Sequence, residues 1–473
     1  VDPTVLSLVP ALLTVVLAFA TRRVLPALFL GIVAGGVVLF LRTGEPADLN
    51  ILSRFLIPAL GSKSFAQILL IYLWCLGGLI GIWERTGGAE HFARVVGGRF
   101  ARGPRSSLGF SWLMGVVFHQ GGTVSTVLTG TTVKPVADAH RVAHEELAYV
   151  VDSTGSPVAT VVPFNAWPAY ISGLVVGTVP LLPDAQAGLD FYVQAIPYNF
   201  YGWFAVIGTG LFSAGWLPWI GRRMREARER ARESGALDAP DARPLMPPDE
   251  PPSAADGTDY TPSLADFLVP LGVLISVAVL PYALTGTSWI NEAFALCTLS
   301  AIAVALARGL TLPEVLDAFL RGCQQMTIGA VILGLAVTLG LVSKELNTAA
   351  YVVSLLGNGF PLVLLPGALT ALCMGIAFAT GTSWGTYAVV FPIAMPLAWA
   401  LAPDPTYLHV CFGAVLGGAV FGDQCSPISD TTILSSMFTG CDLMDHVKTQ
   451  LPLALGAATL GAVASTLVAL VAV

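Results

Sequence analysis

The strongest constraint on this chain is a pair of polar interruptions that occurs twice, more than half the chain apart, inside hydrophobic sequence. The first copy is His119-Gln-Gly-Gly-Thr-Val-Ser-Thr126 followed by Asp152-Ser-Thr-Gly-Ser-Pro-Val-Ala-Thr160. The second is Ala379-Thr-Gly-Thr-Ser-Trp-Gly-Thr386 followed by Gly422-Asp-Gln-Cys-Ser-Pro-Ile-Ser-Asp430. Gly121 pairs with Gly381, Thr126 with Thr386, and Ser156-Pro157 with Ser426-Pro427. Backbone freed by a helix break cannot face lipid and must line protein or a water-filled cavity. Matching interrupted segments in two halves of a membrane chain point to a binding site near the bilayer midplane.

Composition puts the chain in a membrane. Hydrophobic residues make up 55% and charged ones only 11%, against roughly 25% charged in a typical soluble protein; the mean hydropathy is +0.75. Runs such as Val5–Ala20, Val24–Leu41, Ile68–Trp83, Tyr201–Ile220, Phe267–Leu284, Ile290–Ala307, Ile328–Val342, Pro361–Phe378 and Leu451–Val473 approach the ~20 residues that span hydrocarbon. They are continuous rather than alternating, which excludes an outer-membrane barrel. The expected fold is an all-α polytopic membrane protein. Val5–Ala20 has the length of a signal peptide, but its basic residues, Arg22-Arg23, follow it; it reads as a retained first helix. The net charge of −7 has no single-sign block, so no nucleic acid partner is expected. Seven cysteines, an odd number and mostly in apolar segments, read as small buried hydrophobes rather than disulfides. No zinc-type Cys/His spacing occurs, and no cofactor is expected.

The chain divides into a first repeat at 1–220, a charged and Pro-rich linker at 221–262, and a second repeat at 263–473. The linker opens Arg222-Arg-Met-Arg-Glu-Ala-Arg-Glu-Arg-Ala-Arg-Glu and reads as solvated. Val5–Ala20 matches Phe267–Leu284, Val24–Leu41 matches Ile290–Ala307, Leu49–Leu60 matches Leu312–Gly322, Ile68–Trp83 matches Ile328–Val342, and Tyr201–Ile220 matches Leu451–Val473. The basic loops at Arg22-Arg23, Arg85, Arg94, Arg99, Arg102, Arg105, Arg308 and Arg321 place the linker inside and both termini outside by the positive-inside rule. Halves that enter from opposite sides form an inverted-topology repeat.

A charge beside an apolar segment is expensive and functional by default, which singles out Asp152, Asp423 and Asp430. Small hydroxyls cluster at the breaks: Thr123, Ser125, Thr382, Ser383, Ser426, Ser429 and Thr431. Carboxylates, hydroxyls and backbone carbonyls form the oxygen shell that hard cations prefer, so these residues are candidates for a sodium and proton site. The bland reading of each Asp is a half-helix cap. Asn165, Trp167, Trp384, Tyr387 and Gln424 flank the breaks and, with Thr382 and Ser383, would suit an organic substrate. Lys134 and Asp138 are expected to pair along a helix, His119 to pack, and His140, His144 and Glu145-Glu146 to form a solvated turn.

At Gly422-Asp-Gln-Cys-Ser-Pro-Ile-Ser-Asp-Thr-Thr432 the chain resembles the NhaC-type sodium/proton antiporter family, whose signature has the form Gly-Asp-x-x-Ser-Pro-x-Ser-Asp-Thr-Thr. Gly381–Thr386 and Asp152–Pro157 also resemble family segments. The resemblance implies inverted repeats, broken helices with re-entrant hairpins, a scaffold domain and a transport domain, and a homodimer in the inner membrane. The stretch from Ile433 through Asp445-His-Val-Lys448 resembles a branch of the family with diverse substrates. The leading expectation is a secondary active sodium/proton antiporter embedded in the lipid bilayer. The alternative is sodium- or proton-coupled transport of a small organic solute, an amino acid or a carboxylate. An enzyme is not expected, because no nucleophile–base pair or His-Glu-x-x-His motif occurs.

Overall fold

The structure, a computed structural model, describes residues 2–21, 24–89, 91–92, 95, 100–119, 122–244, 260–285, 289–348, 351, 361–427 and 429–472. Among these every regular element is helical. The first part holds α1 (Val9–Thr21), α2 (Val24–Thr43), α3 (Cys75–Thr86), α4 (Pro104–Val117), α5 (Gly122–Ala139), α6 (His144–Ser153), α7 (Ser156–Val161), α8 (Ala166–Val175), α9 (Ala185–Ala195) and α10 (Phe200–Ala214). The charged segment forms α11 (Arg222–Ser234). There follow α12 (Leu264–Thr285), α13 (Ile290–Ala307), α14 (Leu312–Gln325), α15 (Thr327–Glu345), α16 (Leu365–Thr380), α17 (Ser383–Leu401), α18 (Pro405–Cys425), α19 (Asp430–Thr439) and α20 (Leu443–Ala472); the shortest turns are left unlabelled.

Among the described residues, five helices are long and apolar enough to cross a membrane, within 25–43, 362–379, 383–401, 405–425 and 443–472. Two bent pairs raise the number to seven: 52–60 with 65–71, and 144–161 with 166–175, bent by 52°. The protein is therefore an all-helical, multi-pass membrane protein. The spans at 144–175, 383–401 and 405–425 are absent from the hydropathic runs, because their polar residues interrupt the pattern at the positions that matter.

Helices stop at the expected interruptions for identifiable reasons. Gly381 ends α16 with φ +68°, a left-handed conformation that glycine adopts without steric cost. The chain then restarts as α17, with the Thr382 hydroxyl accepting from the Gly385 N–H. Pro157 sits in the first turn of α7, where its missing N–H leaves no extra gap. α18 ends at Cys425, just before Ser426-Pro427, and residues before a proline resist helical backbone angles.

α18 runs through the middle of the molecule, buried continuously from Val410 to Ser426. Gly418 and Gly422 face α16, and a Cβ on either would press on the Thr370 or Met374 carbonyl oxygen. This small-xxx-small spacing lets the two backbones approach closely. The approach brings the Gly381 break beside the end of α18.

One face of the linker helix makes contacts that its charge does not announce. α11 keeps one charged face in solvent, Arg222, Arg225, Glu229 and Arg232 among it, while the other face is clamped to the start of α6. Arg228 donates to Glu146 at 2.5 Å and Arg230 to Glu145 at 2.8 Å, both carboxylates being buried. The His144 N–H donates to the Leu237 carbonyl at 3.2 Å, and its ring bridges Asp138 and Asp238. The Arg243 N–H reaches Asp442 at the start of α20. Glu145 and Glu146 look solvated in sequence because their countercharges lie more than eighty residues away. Lys134 and Asp138 pair as expected.

Candidate ion site

Asp423 lies in the last turn of α18 and is 3% exposed. Three serine hydroxyls donate to its carboxylate. Ser429 reaches Oδ1 at 2.6 Å, Ser383 reaches Oδ2 at 2.7 Å, and Ser156 approaches Oδ2 at 3.4 Å. Each serine stands at a different helix break: Ser383 opens α17, Ser156 opens α7, and Ser429 immediately precedes α19. The Thr431 hydroxyl adds a contact to Ser429 at 3.1 Å. A buried carboxylate is tolerable only when hydrogen-bonded, and these bonds supply that condition. They also gather hard oxygen atoms around one negative charge, the donor set that alkali and alkaline-earth cations take.

Asp152 is the second buried carboxylate, at 0% exposure in the last turn of α6. Its Oδ2 meets His446 Nε2 at 3.0 Å and accepts from Gln450 Nε2 at 3.1 Å. Both partners come from α20, one helical turn apart. The same Gln450 amide donates to the Gln424 carbonyl at 2.6 Å, beside Asp423 in sequence. The Gln424 side chain accepts from the Tyr201 hydroxyl at 2.6 Å and donates to Ser153 at 2.7 Å. The end of α18 is thus joined to both α6 and α20.

The other candidates fall into distinct places. Ser426 donates to the Phe378 carbonyl at 2.8 Å and so ties α18 to α16. Ser125 is buried with its hydroxyl unpartnered, as are Thr129 and Thr132 further along α5. Asp430 opens α19 and Thr123 lies in the first turn of α5, but their side chains, like Gly121, lie outside the described residues. Of the residues put forward for an organic substrate, Asn165 caps α8, accepting from the Trp167 N–H at 2.9 Å and donating to Ala159 and Val162 carbonyls. Thr382 caps α17. Tyr387 donates to the Leu416 carbonyl at 3.1 Å. Gln424 is spent as described, and Ser383 belongs to the Asp423 cluster. Trp167, Trp384 and Tyr387 do meet, with ring centroids 6.0 and 5.7 Å from Trp167; the Trp167 indole N–H is buried and unpartnered.

His446, Gln450 and Tyr201 were not legible as site residues. The signal that could have found the first two is their spacing, four residues apart, just before the apolar run at Leu451.

A model of the Na+/H+ antiporter family matches residues 158–470, a stretch that contains Ser383, Asp423, Ser429 and Gln450. This chain belongs to that family. The NhaC-type resemblance read at Gly422–Thr432 is borne out. A Haemophilus influenzae protein described as uncharacterized is 32% identical over 475 residues, covering 96% of this chain and 88% of the relative. The malate-2H(+)/Na(+)-lactate antiporter of Bacillus subtilis is 28% identical over 211 residues, 44% of this chain and 43% of that protein. Among solved structures, the Alcanivorax borkumensis YdaH transporter shares the fold, with a TM-score of 0.54 at 14% identity over 89% of both chains. As a member of the antiporter family the chain is a secondary transporter; Ser383, Asp423, Ser429, His446 and Gln450 lie in the region matched, and Asp152 and Ser156 lie just before it.

Proposed function

We propose that the protein exchanges sodium for protons, as a homodimer in the inner membrane with its linker on the cytoplasmic side. The observation that carries the reading is the Asp423 carboxylate with Ser156, Ser383 and Ser429 donated from three separate helix breaks. A hydroxyl that donates to a bare carboxylate can rotate to offer its lone pair to a cation, so one group of residues serves the empty and the loaded site. Thr431, and the backbone carbonyls freed at the breaks, complete the oxygen shell; Asp430, Ser426, Thr123 and Ser125 are proposed contributors to its wall. Asp152 is proposed as the proton-binding carboxylate. Two interruptions of the sequence recur in the same order in each part of the chain, which supports an inverted repeat with a scaffold and a transport domain.

The test uses purified protein in sealed vesicles holding a pH-sensitive dye. Sodium or lithium pulses should move protons without any organic solute, and potassium should not. Silence to every cation would sink the reading. A second reading is exchange coupled to an organic solute, favoured by the Trp167–Trp384–Tyr387 cluster beside Ser383 and by the Bacillus subtilis relative, named for malate and lactate. It requires that sodium or proton flux appear only when a carboxylate or amino acid is added.

A further inference from the structure

We propose that a cavity between α8, α15 and α17 binds a small organic carboxylate, held at its charged end by Lys344 and Ser343. The site stands apart from the Asp423 cluster, and the proposal goes beyond the ion reading without depending on it.

The cavity has a volume of about 360 Å³, within the range of small-molecule sites. Leu174 of α8, Val337 and Leu341 of α15, and Pro392 and Ile393 of α17 give it an apolar wall. Polar groups gather where α15 stops. Ser343, Lys344 and Asn347 line that end, together with Thr178 in the turn after α8. Asn347 has a φ of +51° and turns the chain there, as asparagine can just past a helix end. On α17, Pro392 lies nine residues beyond Ser383, about 13 Å along the helix at 1.5 Å per residue. The cavity is therefore separate from the ion cluster.

Ser343 is the residue that calls for a ligand. It is 5% exposed, and its hydroxyl has no partner. A helix serine or threonine commonly donates to the carbonyl one turn back. Thr338 does so on the same helix, reaching the Gly334 carbonyl at 2.7 Å. Ser343 makes no such bond, and a buried hydroxyl left without one is costly. It lines an open cavity instead.

Lys344 sets the sign of the ligand's charge. A lysine in the last turn of a helix already offsets the helix dipole, and this one also donates to the Gly177 carbonyl at 3.3 Å. Neither contact supplies a countercharge. The adjacent Glu345 is engaged by Arg54 at 2.9 Å. Among the described residues, no carboxylate lines the cavity and none lies within ion-pair distance of Lys344. The hydroxyls of Thr178 and Thr348, also in the lining, donate to the Val175 and Ser7 carbonyls. An ammonium and a hydroxyl on neighbouring residues are left to donate. Two such donors suit the two oxygens of a carboxylate, and bonds to an ionised acceptor are the strong ones. An amine would meet like charge at Lys344, and an alcohol would leave that charge uncompensated. The apolar wall takes the carbon body.

The experiment is saturation-transfer NMR of butanoate with the full chain in nanodiscs of neutral phosphatidylcholine. Butanoate should give a protein-dependent signal, and 1-butanol and butylamine of the same length should not. Lys344→Gln and Ser343→Ala should each weaken butanoate binding roughly tenfold. Lys344→Arg, which keeps the charge, should retain most of it. Ala400→Trp, which narrows the cavity from its exposed rim, should remove the signal. Lys344 and Ala400 are exposed, so these variants report on binding without disturbing the interior. A butanoate signal matched by 1-butanol, or unchanged in Lys344→Gln, overturns the proposal. So does the absence of any butanoate signal. Displacement of butanoate by phosphatidylglycerol added to the nanodiscs would name a lipid phosphate as the occupant and overturn the assignment to a solute.

Discussion

A hydroxyl that bonds a carboxylate can be worth more than one that bonds a carbonyl, and the serines around the end of α18 separate on this basis. Ser383 and Ser429 donate to Asp423, whereas Ser426 donates to the Phe378 carbonyl. A hydrogen bond to a charged group contributes about 1.5–3 kcal/mol. Under the proposed function, loss of one such oxygen from the sodium shell should raise the half-saturating sodium concentration roughly tenfold or more. Ser383→Ala and Ser429→Ala should therefore weaken sodium dependence at an unchanged amount of folded protein, with Ser426→Ala showing a smaller shift. Asp423→Asn should abolish sodium-driven flux while the protein still folds. Sodium titrations of flux in vesicles decide this, and equal sodium dependence in all three alanine variants would refute the assignment. Asp423, Ser426 and Ser429 were legible because they lie in one short segment with Pro427 and Gly422. Ser156 was legible only as part of a repeated break. Its role depends on a partner 267 residues away, which no local pattern encodes.

At the scale of elements, the clamp between α11 and α6 matters most. Arg228 and Glu146 pair with the carboxylate fully buried, and Arg228 also lies over the Phe212 ring at 4.8 Å. Breaking a buried pair by removing one partner costs about 3–5 kcal/mol, while replacing both by apolar residues is often neutral. Arg228→Met should therefore lower thermal stability markedly, and Arg228→Met with Glu146→Met should recover most of it. Thermal unfolding followed by size-exclusion chromatography provides the check, and additive losses in the double variant would count against the clamp. Since Asp152 lies in the last turn of α6, the single variant should also slow transport before it unfolds the protein. Hydropathy concealed this region. Glu145-Glu146 reads as a solvated turn, and α20 appears to start at Leu451, although the helix begins two turns earlier at Leu443. Asp445 and Lys448 depress the average over those turns, yet His446 and Gln450 on the same turns are completely buried.

Across the whole molecule, the two parts of the chain are interleaved rather than placed side by side. α3 packs on α14, α2 on α15, and α10 against both α18 and α20. The crossing of α3 and α14 is the tightest of these: a methyl on Gly322 would run into the Gly77 carbonyl, and one on Gly81 into the Ala318 carbonyl. Residues 1–244 and 260–473 expressed as two polypeptides should co-purify, and Gly322→Val should abolish that association. Recovery of either part alone at full yield would contradict the interleaving. The matched breaks lead to the expectation of two related parts; the interlocking of residues 1–244 with 260–473 was not legible, because glycine spacing does not name its partner. That crossing has a kinematic consequence. Side chains can slide and repack, but two main chains in contact cannot pass one another, so α3 and α14 must travel as one rigid body. Any alternation between an inward and an outward opening has to turn elsewhere, at joints such as Gly381 and Thr154-Gly155. Whatever moves during transport, this glycine crossing keeps its internal shape.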